Sequence, residues 1–190
     1  MQAMTITDRV ILWNKQRYEQ EYNYDLAAQL LLEETSELFE AKSDIDKLDA
    51  IGDIFFVAIG VFWKLGLPNE VIQRIFHDLD LTKATIEETN DLCNNIEYAI
   101  MEEVSDVIGA YPGIKLACYS AFICALGTLR GMNMQHTIYD IVHAICDSNH
   151  TKEIKGKTPS HIKANINKGK GYKPPTEALM NIYKQNKIIH

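Results

Sequence analysis

The residues that first suggest chemistry are acidic and closely spaced. Glu33-Glu34-x-x-Glu37, with Glu40 beyond, is followed by Asp49-x-x-x-Asp53, and from residue 33 to 53 there are eight acids against two lysines. On a helix Glu33 and Glu37 fall one turn apart with Glu34 beside them; Asp49 and Asp53 repeat that spacing on the next helix. Like charges so placed repel by about 0.2–0.5 kcal/mol per pair. Asp53 is costlier. It stands in Leu48-x-x-Ile51-Gly52-Asp53-Ile54-Phe55-Phe56, an apolar stretch whose face should meet the core. An ionised carboxylate buried there without a partner costs several kcal/mol. A hard divalent cation held by carboxylate oxygens from two neighbouring helices would relieve both penalties. A solvated acidic face explains Glu40, Asp44 and Asp46 but leaves Asp53 unexplained.

Positive charge gathers at the other end. Residues 1–150 hold 10 basic and 24 acidic side chains, whereas residues 151–190 hold 9 lysines and two acids. Within the basic stretch, Lys152, Lys168 and Lys170 are candidates to neutralise a polyphosphate, and Gly169 and Gly171 let backbone N–H groups approach it. Tyr172 is a candidate to stack on a base or simply to pack. The plainer reading of this Lys/Gly/Pro composition is a solvated tail. The acidic body argues against a nucleic-acid partner, since phosphate neutralisation needs a basic surface. The apolar run Ile51–Leu67 is broken by Asp53, Lys64 and Gly66, so no membrane span is expected. Asp8 and Arg9 fall where an export signal would be apolar. Cys93, Cys118, Cys124 and Cys146 form no C-x-x-C pair and read as reduced, buried thiols, which points to a cytoplasmic protein. His136, His143 and His150 recur every seven residues without an i,i+4 pair, a poor pattern for zinc.

The elements that must carry these residues are helical nearly throughout, and an all-α fold is expected. Val10, Ile11, Trp13 and Tyr18 have helical spacing after a possible cap at Thr7, and Leu26 to Ala41 continue it. Further helices are predicted at about 47–65, stopping at Gly66, then from Asn69, at 82–108, 115–130, 137–147 and 176–187. The domain reading is a helical bundle over 1–148 and a basic tail, 149–190, that completes the site. Residues 33–41, EETSELFEA, recur at an offset of 69 as EEVSDVIGA at 102–110, and Asp78-x-x-x-Thr82-Lys83 recurs as Asp147-x-x-x-Thr151-Lys152. An apolar helix ending in glycine is expected in each half, at Gly66 and Gly131. Repeats over 24–83 and 93–152 would make the bundle a tandem-duplicated pseudo-dimer; coincidence in a helix-rich sequence is the alternative.

EETSE followed by DAIGD resembles the paired acidic motifs of the MazG-like and phosphoribosyl-ATP-pyrophosphatase-like all-α nucleoside triphosphate pyrophosphohydrolases. Asn149-x-x-Lys152 and Lys168-Gly169-x-Gly171-Tyr172-x-Pro174-Pro175 are similar to segments of phage-type members. The resemblance implies a Mg²⁺-dependent enzyme, with Mn²⁺ as a possible substitute. It would cleave an NTP or dNTP to the monophosphate and pyrophosphate, in house-cleaning or nucleotide-pool control. It implies Glu34, Glu37, Asp53 and Asp49 as metal ligands, Glu33 and Glu37 in catalysis, and Asn149, Lys152, Lys168, Lys170 and Tyr172 at the substrate. The family's E-x-x-D glutamate would fall on Ala50, so Asp49 has to serve in its place. In the second copy Glu102, Glu103 and Asp106 lack partner aspartates, because Leu116–Ala121 carries none. Where the first copy has Asp80 the second has Asn149. One competent site in the first half, completed by Asn149 and Lys152, is therefore expected. Further metal contacts from Glu102, Glu103 and Asp106 are the variant reading. A homo-oligomer, specifically a dimer, is expected from such helical assemblies. Phosphoribosyl-ATP as substrate and a non-catalytic helical interaction module are the alternatives.

Overall fold

The structure is a computed structural model, and it describes residues 4–19, 24–75, 112–153, 157 and 168–189. Among these residues the chain is all-α, with no β-strand: α1 (Ile6–Arg17), α2 (Tyr24–Glu40), α3 (Asp44–Lys64), α4 (Asn69–Ile75), α5 (Pro112–Met132), a 3₁₀ turn (Gln135–Thr137), α6 (Ile138–His150) and α7 (Thr176–Ile189). The helix expected over 82–108 lies outside the described residues. With it go Asp78, Asp80, Cys93, Glu102, Glu103 and Asp106, and so most of what would compare the two repeats.

Local chemistry sets the helix ends. Thr5, rather than Thr7, caps α1: its hydroxyl accepts from the Asp8 N–H at 3.1 Å, while Thr7 is buried inside the first turn. Ser43 and Asp46 form a reciprocal capping box at the start of α3. Gly66, at φ +80°, closes α3; its N–H reaches Trp63 O and the Leu67 N–H reaches Phe62 O, a Schellman closure with Leu67 buried beyond it. α5 closes the same way, but not at Gly131. The left-handed residue is Asn133, at φ 55°, and the Met134 N–H bonds Leu129 O at 2.9 Å. Asparagine tolerates that conformation, so Gly131 stays inside the helix.

α3 is the hub. It packs against α1, α2, α4, α5, α6 and α7, while α2 also packs on α5. Leu48, Ile51, Ile54, Phe55, Ile59 and Phe62 make its core face, with Phe55 set against Phe122 of α5 at 5.0 Å between ring centroids. Gly52 lets α6 come close, since a Cβ there would overlap Ile145. α7 buries Leu179 and is tied down through its second half: Tyr183 OH donates to Asp44 at 2.7 Å and Asn186 Nδ2 to Asn133 O at 3.3 Å. Cys118 and Cys146 are buried free thiols, both pushed up to about 12 by that burial. No helix among the described residues is long and apolar enough to cross a membrane.

Candidate functional site

Helical periodicity brings the acidic residues to one wall. On α2, Leu30, Glu33, Glu34 and Glu37 share a face; on α3, Asp53, Phe56, Val57, Gly60, Val61 and Lys64 do the same. The two faces line a cavity of about 600 Å³. α1 contributes Trp13 and Asn14, followed by Tyr18, and the C-terminal end of α6 contributes Asn149 and then Lys152. Lys168, from the segment before α7, lines the same space. Of the residues singled out in the sequence, Glu33, Glu34, Glu37, Asp53, Asn149, Lys152 and Lys168 thus share one cavity.

Asp53 is the most perturbed of the acids. Burial, then the negative field of Asp49 and of Glu37, pushes its carboxyl up to about 7; Lys152 and a hydrogen bond from Asn149 pull the other way. Asp49 lies one turn earlier, half-buried and off the cavity wall. Its carboxyl is raised by burial, pulled back by Lys152, and raised again by Glu37. The pair is thus a poorly compensated concentration of negative charge within reach of two lysines.

A brace from α1 holds the cationic side. Trp13 Nε1 donates to Asn149 O at 3.0 Å, and Arg17 donates to Trp13 O at 3.3 Å and to Lys152 O at 2.9 Å. The Arg17 guanidinium also lies 4.3 Å from the Trp13 ring centre, and burial lowers its pKa. Across the same helix end, the Lys173 N–H bonds Thr151 Oγ1 at 2.9 Å, and Tyr172 OH meets Ser148 Oγ at 3.5 Å. The ammonium groups of Lys168 and Lys152 sit 5.1 and 5.9 Å from the Tyr172 ring centre. Tyr172 is off the cavity wall, and its ring lies against the two lysines. Lys170 is exposed and is likewise off the wall. Gly169 packs on Glu153, where a Cβ would collide with the carboxylate.

Among the described residues no three His, Cys, Asp or Glu side chains converge tightly enough to hold a metal ion as they stand. The donor chemistry suits a hard divalent cation all the same. Every acid on the wall offers carboxylate oxygen, and Asp53 is half-buried with Asp49 and Glu37 acting on it against Lys152. Closing on an ion requires the glutamates to swing inward. Glu37 is exposed and Glu33 and Glu34 are half-buried.

Among the wall residues that were not site candidates in the sequence are Trp13, Asn14, Tyr18 and Lys64. Lys64 had the same signal as Asp53, a charge interrupting an apolar helix, but its place in the last turn makes it look like an ordinary dipole complement. His143 sits with Arg9 and Asp147 on the other side of α6, its Nδ1 3.3 Å from Asp147. Comparison with protein-family models, with curated proteins and with solved structures returned no significant match.

Proposed function

We propose that this cavity hydrolyses the α–β phosphoanhydride of a nucleoside or deoxynucleoside triphosphate, giving the monophosphate and pyrophosphate. One observation carries the reading: a single cavity joins four carboxylates, three lysines and an aromatic-lined end. That is the complement of a metal-bridged polyphosphate attached to a flat base. A carboxylate wall alone would repel the substrate, which brings about four negative charges; Lys152 and Lys168 offset them.

Glu34, Glu37, Asp53 and, from behind, Asp49 would hold Mg²⁺ or Mn²⁺. Such an ion polarises phosphate oxygens and lowers the pKa of an attacking water. Water oxygen bonds to the α-phosphorus while the bond from that phosphorus to the bridging oxygen breaks, and pyrophosphate leaves with the bridge oxygen. Glu33 would take the water's proton. Asn149 fixes the Asp53 carboxylate, and Lys152 and Lys168 steady the β- and γ-phosphates. The resemblance of EETSE and DAIGD to the all-α pyrophosphohydrolases supports the same assignment, as does the all-α fold. The competent site would belong to the first half of a duplicated unit, and assembly as a dimer remains part of the proposal.

The test is a panel of NTPs and dNTPs incubated with the full chain and Mg²⁺, with pyrophosphate and orthophosphate measured separately. Pyrophosphate in step with monophosphate is expected, together with its loss in Asp53→Asn and Glu34→Gln. Absence of turnover, or orthophosphate as first product, would refute it.

A further inference from the structure

The end of the cavity away from the acids holds two polar side chains that the proposed chemistry does not use. Lys64 is 8% exposed and Asn14 4%, yet both line the cavity. Among the described residues the Lys64 ammonium meets only the Tyr18 ring, at 3.5 Å from its centre. Burial alone lowers its pKa, to about 8, with no carboxylate acting on it. Its three N–H donors meet no acceptor among the described residues and open on the cavity, where a ligand can supply one. Asn14 is oriented by its own helix: Nδ2 donates to Val10 O at 2.9 Å, which leaves Oδ1 as its free acceptor. Its amide also lies directly against Gly60, one turn before Lys64 on α3.

Distance separates this pair from the phosphate chemistry. Asp53 and Lys64 are eleven residues apart on one helix face, or roughly 16 Å at 1.5 Å per residue. The wall between them is apolar, with Phe56 and Val61 on α3 and Trp13 across, edge-on to Phe56 at 5.1 Å between centroids. A triphosphate at the acidic end would therefore lay its base at the Lys64 end.

We propose that Lys64 and Asn14 read the lactam edge of a nucleobase, the carbonyl next to a ring N–H found in uracil, thymine, guanine and hypoxanthine. Lys64 donates to the carbonyl oxygen, and Asn14 Oδ1 accepts from the ring N–H. Cytosine and adenine present an amino group and an unprotonated ring nitrogen at those positions. They would set donor against donor and acceptor against acceptor, leaving the buried ammonium unpaired. The assignment rests on the nucleotide reading above and narrows it to a substrate class.

The experiment measures binding, so it does not depend on turnover. Calorimetry with Mg²⁺ and non-hydrolysable α,β-imido analogues of dUTP, dTTP, dGTP, dCTP and dATP should show the lactam bases bound at least ~10-fold more tightly. In Lys64→Met that ratio should fall to about one, while binding of Mg²⁺-tripolyphosphate stays unchanged. Asn14→Leu supplies the second variant, and circular dichroism checks that both fold. Equal binding of all bases, a preference for dCTP or dATP, or loss of tripolyphosphate binding in Lys64→Met would each overturn the assignment. Base discrimination without pyrophosphate release would leave it standing and remove the hydrolase reading instead.

Discussion

Arg17 and Lys64 are both buried cations set against an aromatic ring, and they do opposite things. Arg17 spends its donors on the backbone, tying Trp13 O and Lys152 O together beneath the cavity's cationic side. Lys64 donates to nothing among the described residues and opens on the cavity. A cation–π contact is worth about 0.5–2 kcal/mol and does not offset burial of a charge by itself. The difference lies in what the terminal nitrogens meet: those of Arg17 bond the backbone, although its Nε is buried without a partner, while that of Lys64 faces the cavity.

Breaking the first cation should give the larger effect. Arg17→Met leaves two carbonyls without their donors and should cost about 2–4 kcal/mol in urea unfolding. It should also weaken nucleotide binding, because Lys152 loses its anchor. A variant as stable as the wild type would mean the brace does not hold the site. Lys64→Met should instead be neutral or stabilising at pH 7, since it removes an unpaired buried charge. The sign follows from linkage. The folded-state pKa of about 8 lies below the unfolded 10.5, so the unfolded chain binds more protons between these values and stability rises with pH across that window. The wild type should gain roughly 2–3 kcal/mol from pH 8 to 10.5, and Lys64→Met should lack that rise.

Asp53 is the acid counterpart of Lys64. Its folded pKa of about 7 lies above the unfolded 3.8, so it contributes stability that is full below pH 3.8 and lost as pH rises through 7. In chelator, melting of the wild type should rise as pH falls from 7 towards 4, apart from other groups' titrations, and Asp53→Asn should flatten that slope. Saturating Mg²⁺ should stabilise the wild type at pH 8 by about 1–3 kcal/mol and the variant hardly at all, with the gain fading below pH 7. A Mg²⁺ shift that survives in Asp53→Asn would place the cation elsewhere. The smallest change is Gly60→Ala. Better helix propensity is set against a collision with Asn14, so stability should move by less than about 1 kcal/mol. Base discrimination should still drop as Asn14 is displaced.

The acidic wall was legible because its logic is local. Spacings of three and four along α2 and α3 decide which carboxylates share a face, and Asp53 stood out against its apolar neighbours. Most helix positions followed from the same periodicity, with Gly66 closing α3 as expected. What escaped depends on packing between distant segments. Trp13, Asn14 and Tyr18 have apolar or neutral side chains on the first helix, and only the α1–α3 contact turns them into cavity wall. The closure at Asn133 rather than Gly131 goes with the burial of Met134 just beyond it, a contact local spacing does not show. Lys168 and Lys170 are two residues apart, a spacing that an extended chain would put on one side; the turn closed by the Tyr172 N–H on Gly169 O parts them, and composition could not show that.

The central claim is attack at the α-phosphorus within the carboxylate cavity. Its most direct test is hydrolysis of a dNTP in ¹⁸O-labelled water with Mg²⁺, followed by mass spectrometry of both products. The account predicts one label in the nucleoside monophosphate and none in pyrophosphate, with no turnover by Asp53→Asn. Label in pyrophosphate or orthophosphate, or undiminished turnover by the variant, would contradict it.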